Sequence, residues 1–146
     1  MIYRLDYGSG AAPREGFMSS DFCGGPYYDY LIEDYRVLDA PSDTFHEINC
    51  RNVLHHIPKD DLPKVIDEFR RLLVPGGQLI ISEPRQEFHK QNLILDIIWY
   101  RFLRKEMNIA LPLEYVDYKQ YLDGFEAIHQ VDHFNNEVIV FEKTIH

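Results

Sequence analysis

The segment from Leu62 to Ser82 constrains the fold of this chain more than any other. Leu62, Val65, Ile66, Phe69, Leu72 and Leu73 recur at the i, i+3, i+4, i+7 spacing of one buried helix face. Asp60 or Asp61 can cap the start, and Pro63 falls in the first turn, where a missing N–H costs little. Val74-Pro75-Gly76-Gly77 ends the helix, and Gln78 to Ser82 then alternates as a strand does. Glu47 to Arg51, entered through Phe45, supplies a strand ahead of the helix. Strand, helix, strand with a tight turn is the repeating unit of a parallel α/β sheet.

The flanking segments extend that reading. Ile2 to Asp6 is a short strand, with weaker strand candidates at Gly16 to Asp21 and Tyr28 to Ile32. A second helix is expected over 88–105, with an unusually wide apolar arc, and a short one around Asp117 to Leu122. Phe125 to Phe134 and Glu137 to Lys143 read as a closing hairpin turned by Asn135-Asn136. A length of 146 residues, with 14% aromatics, suits one domain spanning 1–146 and an ordinary core. The formal charge of −9 argues against a nonspecific grip on nucleic-acid phosphates, which needs clustered Lys and Arg. Cys23 and Cys50 alone cannot build a disulfide framework or a structural zinc site. The start lacks the shape of a secretory signal, and no run reaches the roughly 18 apolar residues of a membrane span. The expectation is a soluble, cytoplasmic protein.

Two features carry chemistry. Asp6-Tyr7-Gly8-Ser9-Gly10 follows the first strand directly, and its glycines let a ligand approach the backbone. The carboxyl end of that strand is where open α/β sheets bind nucleotides. Asp21 ends the second strand, where a carboxylate can accept both ribose hydroxyls of an adenosine group. Ala12 stands at the third-glycine position, and Gly10 to Asp21 leaves no room for a crossover helix, which counts against NAD or FAD.

From Asp34 to Pro84 the chain resembles the class I S-adenosylmethionine-dependent methyltransferases. Asp34-Tyr35-Arg36-Val37-Leu38, Phe45 seven residues on, and Val53-Leu54-His55-His56-Ile57-Pro58 look like that family's central stretch. Phe69-Arg70-Arg71-Leu72-Leu73-Val74-Pro75-Gly76-Gly77-Gln78-Leu79 looks like its helix-to-strand turn. The resemblance implies a Rossmann-like α/β fold with an open, mostly parallel sheet of about seven strands and a C-terminal antiparallel hairpin. It implies S-adenosylmethionine as cofactor. Asp6 would help hold the methionine ammonium, and Gly8 and Gly10 would lie against the cofactor. Asp21 would take the ribose, Phe22 the adenine face, and Asp34, with Tyr35 beside it, the adenine amino group. Cys50 and Arg51 would turn backbone toward the methionine part. The chain departs from the pattern at His46, in place of an Asp, and at Phe22 to Tyr28, too short for a crossover helix.

The remaining residues bear on the reaction and on assembly. His55 or His56 could serve as general base, because methyl transfer to O–H or N–H requires a proton to leave. His129 and His133 lie four apart on a strand rather than a helix, so they share no ligand face and no metal site is expected. Glu83, Arg85 and His89 follow the fifth strand, at the edge where the family's acceptor often sits. The expected activity is methyl transfer to an unidentified small or polymer-linked acceptor. The alternative is a non-catalytic relative that binds the cofactor or acts as a scaffold. The shortened connections imply that one apolar face of the sheet is left bare, to be covered by a homodimer, a constitutive partner or the chain's own C-terminal segment.

Overall fold

The computed structural model describes residues 1–10, 13–21, 28–88 and 117–145. Among the described residues there are seven strands: β1 Arg4–Tyr7, β2 Met18–Asp21, β3 Tyr30–Leu31, β4 Phe45–Arg51, β5 Leu73–Pro84, β6 Phe125–His133 and β7 Asn136–Lys143. They form one sheet in the order β3-β2-β1-β4-β5-β7-β6. The pairings from β3 through β5 are parallel, and β7 is antiparallel to both β5 and β6. The helix α1, Leu62–Leu72, follows β4, and a short 3₁₀ turn at Tyr118–Tyr121 precedes β6. The helix expected over 88–105 falls almost wholly outside the described residues. Among the described residues no helix is long and apolar enough to cross a membrane.

The periodicity of α1 determines how it packs. Leu62, Val65, Ile66, Phe69 and Leu72 are all fully buried against the sheet. Phe69 meets the ring of Tyr7 edge-on at 4.8 Å between centroids. Paired residues across neighbouring strands share a face. The rows Leu5, Ile48, Leu79, Phe141 and Tyr7, Cys50, Ile81, Ile139 are therefore the α1 side, and every member is buried.

The opposite face corrects the expectation of a bare apolar surface. Its central row is Arg4, Glu47, Gln78 and Glu142, and the Arg4–Glu47 pair closes at 3.2 Å. The next row begins with Asp6 and Asn49. Phe17 lies beneath the guanidinium groups of Arg14, at 4.9 Å, and Arg4, at 5.9 Å. Polar residues thus replace the apolar ones that crossover helices would have covered. Toward the hairpin the face turns apolar, with Ile80, Val138, Val140 and Val131. His129 and His133 both lie on this face, so the statement that they share no face is corrected. Four residues of strand nonetheless separate them by about 13 Å, too far for one metal ion.

The element boundaries differ from the sequence reading at two places. Val74-Pro75-Gly76-Gly77 does not precede β5 but bulges within it, because Leu73 already pairs with Phe45 and Gln78 resumes with Glu47. The hairpin turns on Phe134-Asn135, not Asn135-Asn136. Asn136 pairs with His133, and Phe134 takes the positive φ of 55°. The first three strands are also shorter than expected, since residues 8–17 and 22–29 are all that connect them. Parallel strands need about a dozen residues or more for a helical crossover.

Candidate functional site

The strand order reverses direction between β1 and β4, and the carboxyl ends of these strands diverge there. Asp6 and Asn49 meet at this point. Asn49 Nδ2 donates to Asp6 Oδ1 at 2.8 Å, and both side chains are buried. The Arg14 backbone N–H donates to Asp6 Oδ2 at 2.8 Å, while its guanidinium donates to Asn49 Oδ1 at 3.2 Å. Asp6 thereby holds the loop that takes the place of the first crossover helix. Asp21 does the same one strand over, where its Oδ2 accepts from the Gly10 N–H. Ser9 N–H donates to Ser20 O at 2.7 Å, and Tyr28 OH donates to Gly10 O at 3.0 Å.

The glycines of this loop are required by its shape. Gly8 has φ +70°, and a Cβ built on it would lie 2.4 Å from Val53 Cγ2. Gly10 has φ +63°. Both sit in the left-handed region that side chains disfavour. The loop after β1 is thereby pressed onto the segment that follows β4.

That segment is clamped from below by Glu83, the penultimate residue of β5. Its Oε1 accepts from the backbone N–H groups of Val53, at 2.9 Å, and Leu54, at 2.7 Å. Its Oε2 lies 2.6 Å from His55 Nδ1. Glu83 is 4% exposed. The His56 ring stands beside that of His55, at 4.2 Å between centroids and tilted by 37°.

The other sequence-derived positions fall less evenly. Asp34 is forked on Arg36, whose Nε and Nη2 donate to Oδ1 at 2.9 Å and Oδ2 at 2.8 Å. Those hydrogen bonds hold its carboxyl below the usual range. An adenine amino group would have to share these oxygens. The Tyr35 hydroxyl donates to Asp61 Oδ2 at 2.6 Å, which pushes its phenol pKa up, and Tyr7 OH donates to Tyr35 O at 2.8 Å. The Cys50 side chain is fully buried in the core, where desolvation raises its thiol pKa well above the ordinary value. Only its backbone can take part in a site. Arg51 is exposed at the end of β4. Phe22 lies outside the described residues, as does His89. Sequence reasoning missed Asn49, and it placed Glu83 at the edge without its partners.

A model of a methyltransferase domain family matches residues 5–114. The chain belongs to the class I S-adenosylmethionine-dependent methyltransferases. Solved structures similar to this methyltransferase-family chain agree in fold. The PH0226 protein of Pyrococcus horikoshii OT3 is 14% identical with a TM-score of 0.68, over 97% of this chain and 82% of that one. An S-adenosylmethionine-dependent methyltransferase from Methanosarcina mazei is 16% identical with a TM-score of 0.62, over 99% and 92%. The Burkholderia thailandensis 1,6-didemethyltoxoflavin-N1-methyltransferase, solved with 1,6-didemethyltoxoflavin and S-adenosylhomocysteine, is 14% identical with a TM-score of 0.64, over 97% and 71%. No curated protein matches the chain significantly.

Proposed function

We propose that this chain is a single-domain, cytoplasmic methyltransferase that takes S-adenosylmethionine as methyl donor. The observation that carries the proposal is the meeting of Asp6 and Asn49 at the reversal point of the strand order, beside the Gly8–Gly10 loop and Asp21. The donor set suits the cofactor. A sulfonium carries positive charge near its reactive methyl, and carboxylate and carbonyl groups attract it where Lys would repel it. A carboxylate offers about four lone-pair sites, so the two N–H groups held by Asp6 leave capacity for an ammonium. Asp6 would hold the methionine end, Asp21 the ribose, Gly8 and Gly10 the bridging chain, and Phe22, Asp34 and Tyr35 the adenine. The backbone of Cys50 and Arg51 would border the methionine part. When bound, the cofactor supplies an electrophilic methyl carbon. The protein then orients the acceptor in line with it and excludes water, and His55 or His56 takes the acceptor's proton. Assembly with a second copy or a partner would use the apolar part of the sheet face opposite α1, at Ile80, Val138, Val140 and Val131.

The second reading, a scaffold that has lost catalysis, is favoured by one observation. Asp6 and Asp21 already brace the loop that replaces a helix. Calorimetric titration with S-adenosylhomocysteine separates the two. Saturable heat, weakened by roughly 1–3 kcal/mol in Asp21→Ala, supports cofactor use. No heat at millimolar ligand would leave the scaffold reading standing.

A further inference from the structure

We propose that Tyr7 is a positioning residue that makes the cofactor site selective for adenine, by holding the Asp34–Arg36 turn where Asp34 can read the purine amino group. The inference rests on the methyltransferase reading and deepens it. Tyr7 is the last residue of β1, directly before the Gly8–Gly10 loop, and the family resemblance gives it no role. Its ring is buried on the α1 side of the sheet, edge-on to Phe69. That packing accounts for the ring but not for the hydroxyl, which donates to the Tyr35 carbonyl at 2.8 Å. Burial raises the phenol pKa well above its ordinary value, so the group remains a donor at neutral pH.

Tyr35 is the second residue of a tight turn, closed where the Val37 N–H donates to Asp34 O at 3.0 Å. The turn is pinned at both ends of Tyr35. Tyr7 holds its carbonyl, and Asp61 Oδ2, just ahead of α1, holds its phenol at 2.6 Å. Inside the turn, Arg36 fills acceptor positions on Asp34. Its backbone N–H and Nε donate to Oδ1, both at 2.9 Å, and Nη2 donates to Oδ2 at 2.8 Å. A carboxylate offers about four such positions, so Oδ2 keeps one for a ligand. The conformation of the turn sets where that position points. It can accept an N–H of the adenine amino group, and it repels the carbonyl oxygen that replaces this group in hypoxanthine. Tyr7 thus joins the loop proposed for the methionine and ribose parts to the turn proposed for adenine.

Tyr7→Phe tests the inference, because it keeps the ring against Phe69 and removes only the hydroxyl. Calorimetry compares S-adenosylhomocysteine with S-inosylhomocysteine, in which a ring carbonyl replaces the amino group. The unchanged protein should prefer the adenosyl ligand by at least about tenfold, and Tyr7→Phe should bring that preference below about threefold. In an Asp34→Ala background, where the reading group is gone, Tyr7→Phe should leave the ratio as it stands. In ligand-free protein, the Arg36 amide shares a peptide with the Tyr35 carbonyl and should shift in Tyr7→Phe. An unmoved Arg36 amide would overturn the proposal without any ligand. So would a preference that survives in Tyr7→Phe while both affinities fall together, the result of a merely structural hydroxyl. Either can occur in a protein that binds S-adenosylhomocysteine well. No binding by the unchanged protein is instead failure of the cofactor reading, and this inference falls with it.

Discussion

Gly8→Ala should destabilise the fold heavily, and the structure says where the energy goes. The new Cβ would stand 2.4 Å from Val53 Cγ2, about 1 Å inside the ~3.5 Å of an ordinary carbon contact. Relieving such overpacking costs about 1–3 kcal/mol. The backbone at φ +70° adds about 1–2 kcal/mol for any L side chain. The sum, about 2–5 kcal/mol, is a large part of the ~5–15 kcal/mol typical of a domain. Val53→Ala removes the obstructing methyl and by itself loses about 1–3 kcal/mol of buried apolar contact. The double variant should therefore lose about 1–3 kcal/mol less than the two single losses added, while the φ penalty remains. Urea unfolding of the four proteins, followed by circular dichroism, measures this coupling. Losses that add to within about 0.5 kcal/mol would show that the loop after β1 does not press on the segment after β4 as described.

Further outcomes follow from the same contacts. Glu68→Ala should cost about 1–3 kcal/mol, because it orphans the buried Leu38 N–H, held at 2.8 Å, and frees Arg71 from the loop it ties down; denaturant midpoints check it. In a Cys23→Ser background, Cys50 should resist a thiol reagent at pH 8 until the protein unfolds, since burial keeps it protonated. Arg36→Gln should raise the Asp34 carboxyl pKa toward its ordinary value, read by ¹³C titration. The lowered folded-state value means any stabilisation by this pair is present above the unfolded pKa and lost as pH falls through the folded one. Asp34 is exposed enough that the effect on stability should be small.

The parts of this protein that were legible in its sequence are those where one physical signal dominates. The apolar positions from Leu62 to Leu73 located α1, because burial on one face admits no other period, but the helix is shorter than that reading and Leu73 already opens β5. The mostly parallel sheet of about seven strands followed from the family resemblance at Asp34 to Pro84 rather than from any local pattern. The hairpin turn was misplaced by one residue because the Asn pair is good turn chemistry wherever it lies. Register is decided instead by the long β6–β7 pairing, which puts the positive φ on Phe134. The polar face opposite α1 was unreadable until the strands were aligned, since Arg4, Glu47, Gln78 and Glu142 lie far apart in sequence. The Asp34–Arg36 fork was within reach, as the two residues lie on one tight turn. The partners of Glu83 were not, because they come from 28 to 30 residues away.

The central claim is that the loop after β1 and the end of β2 form a cofactor site at the reversal of the sheet. Amide spectra of the ¹⁵N-labelled protein titrated with S-adenosylhomocysteine test it at the level of residues. The account predicts saturable shifts of the Gly8, Gly10, Asp21 and Val53 amides, with the hairpin at Phe125–Lys143 undisturbed. Shifts confined to other surfaces, or none at millimolar ligand from a folded protein, would contradict it.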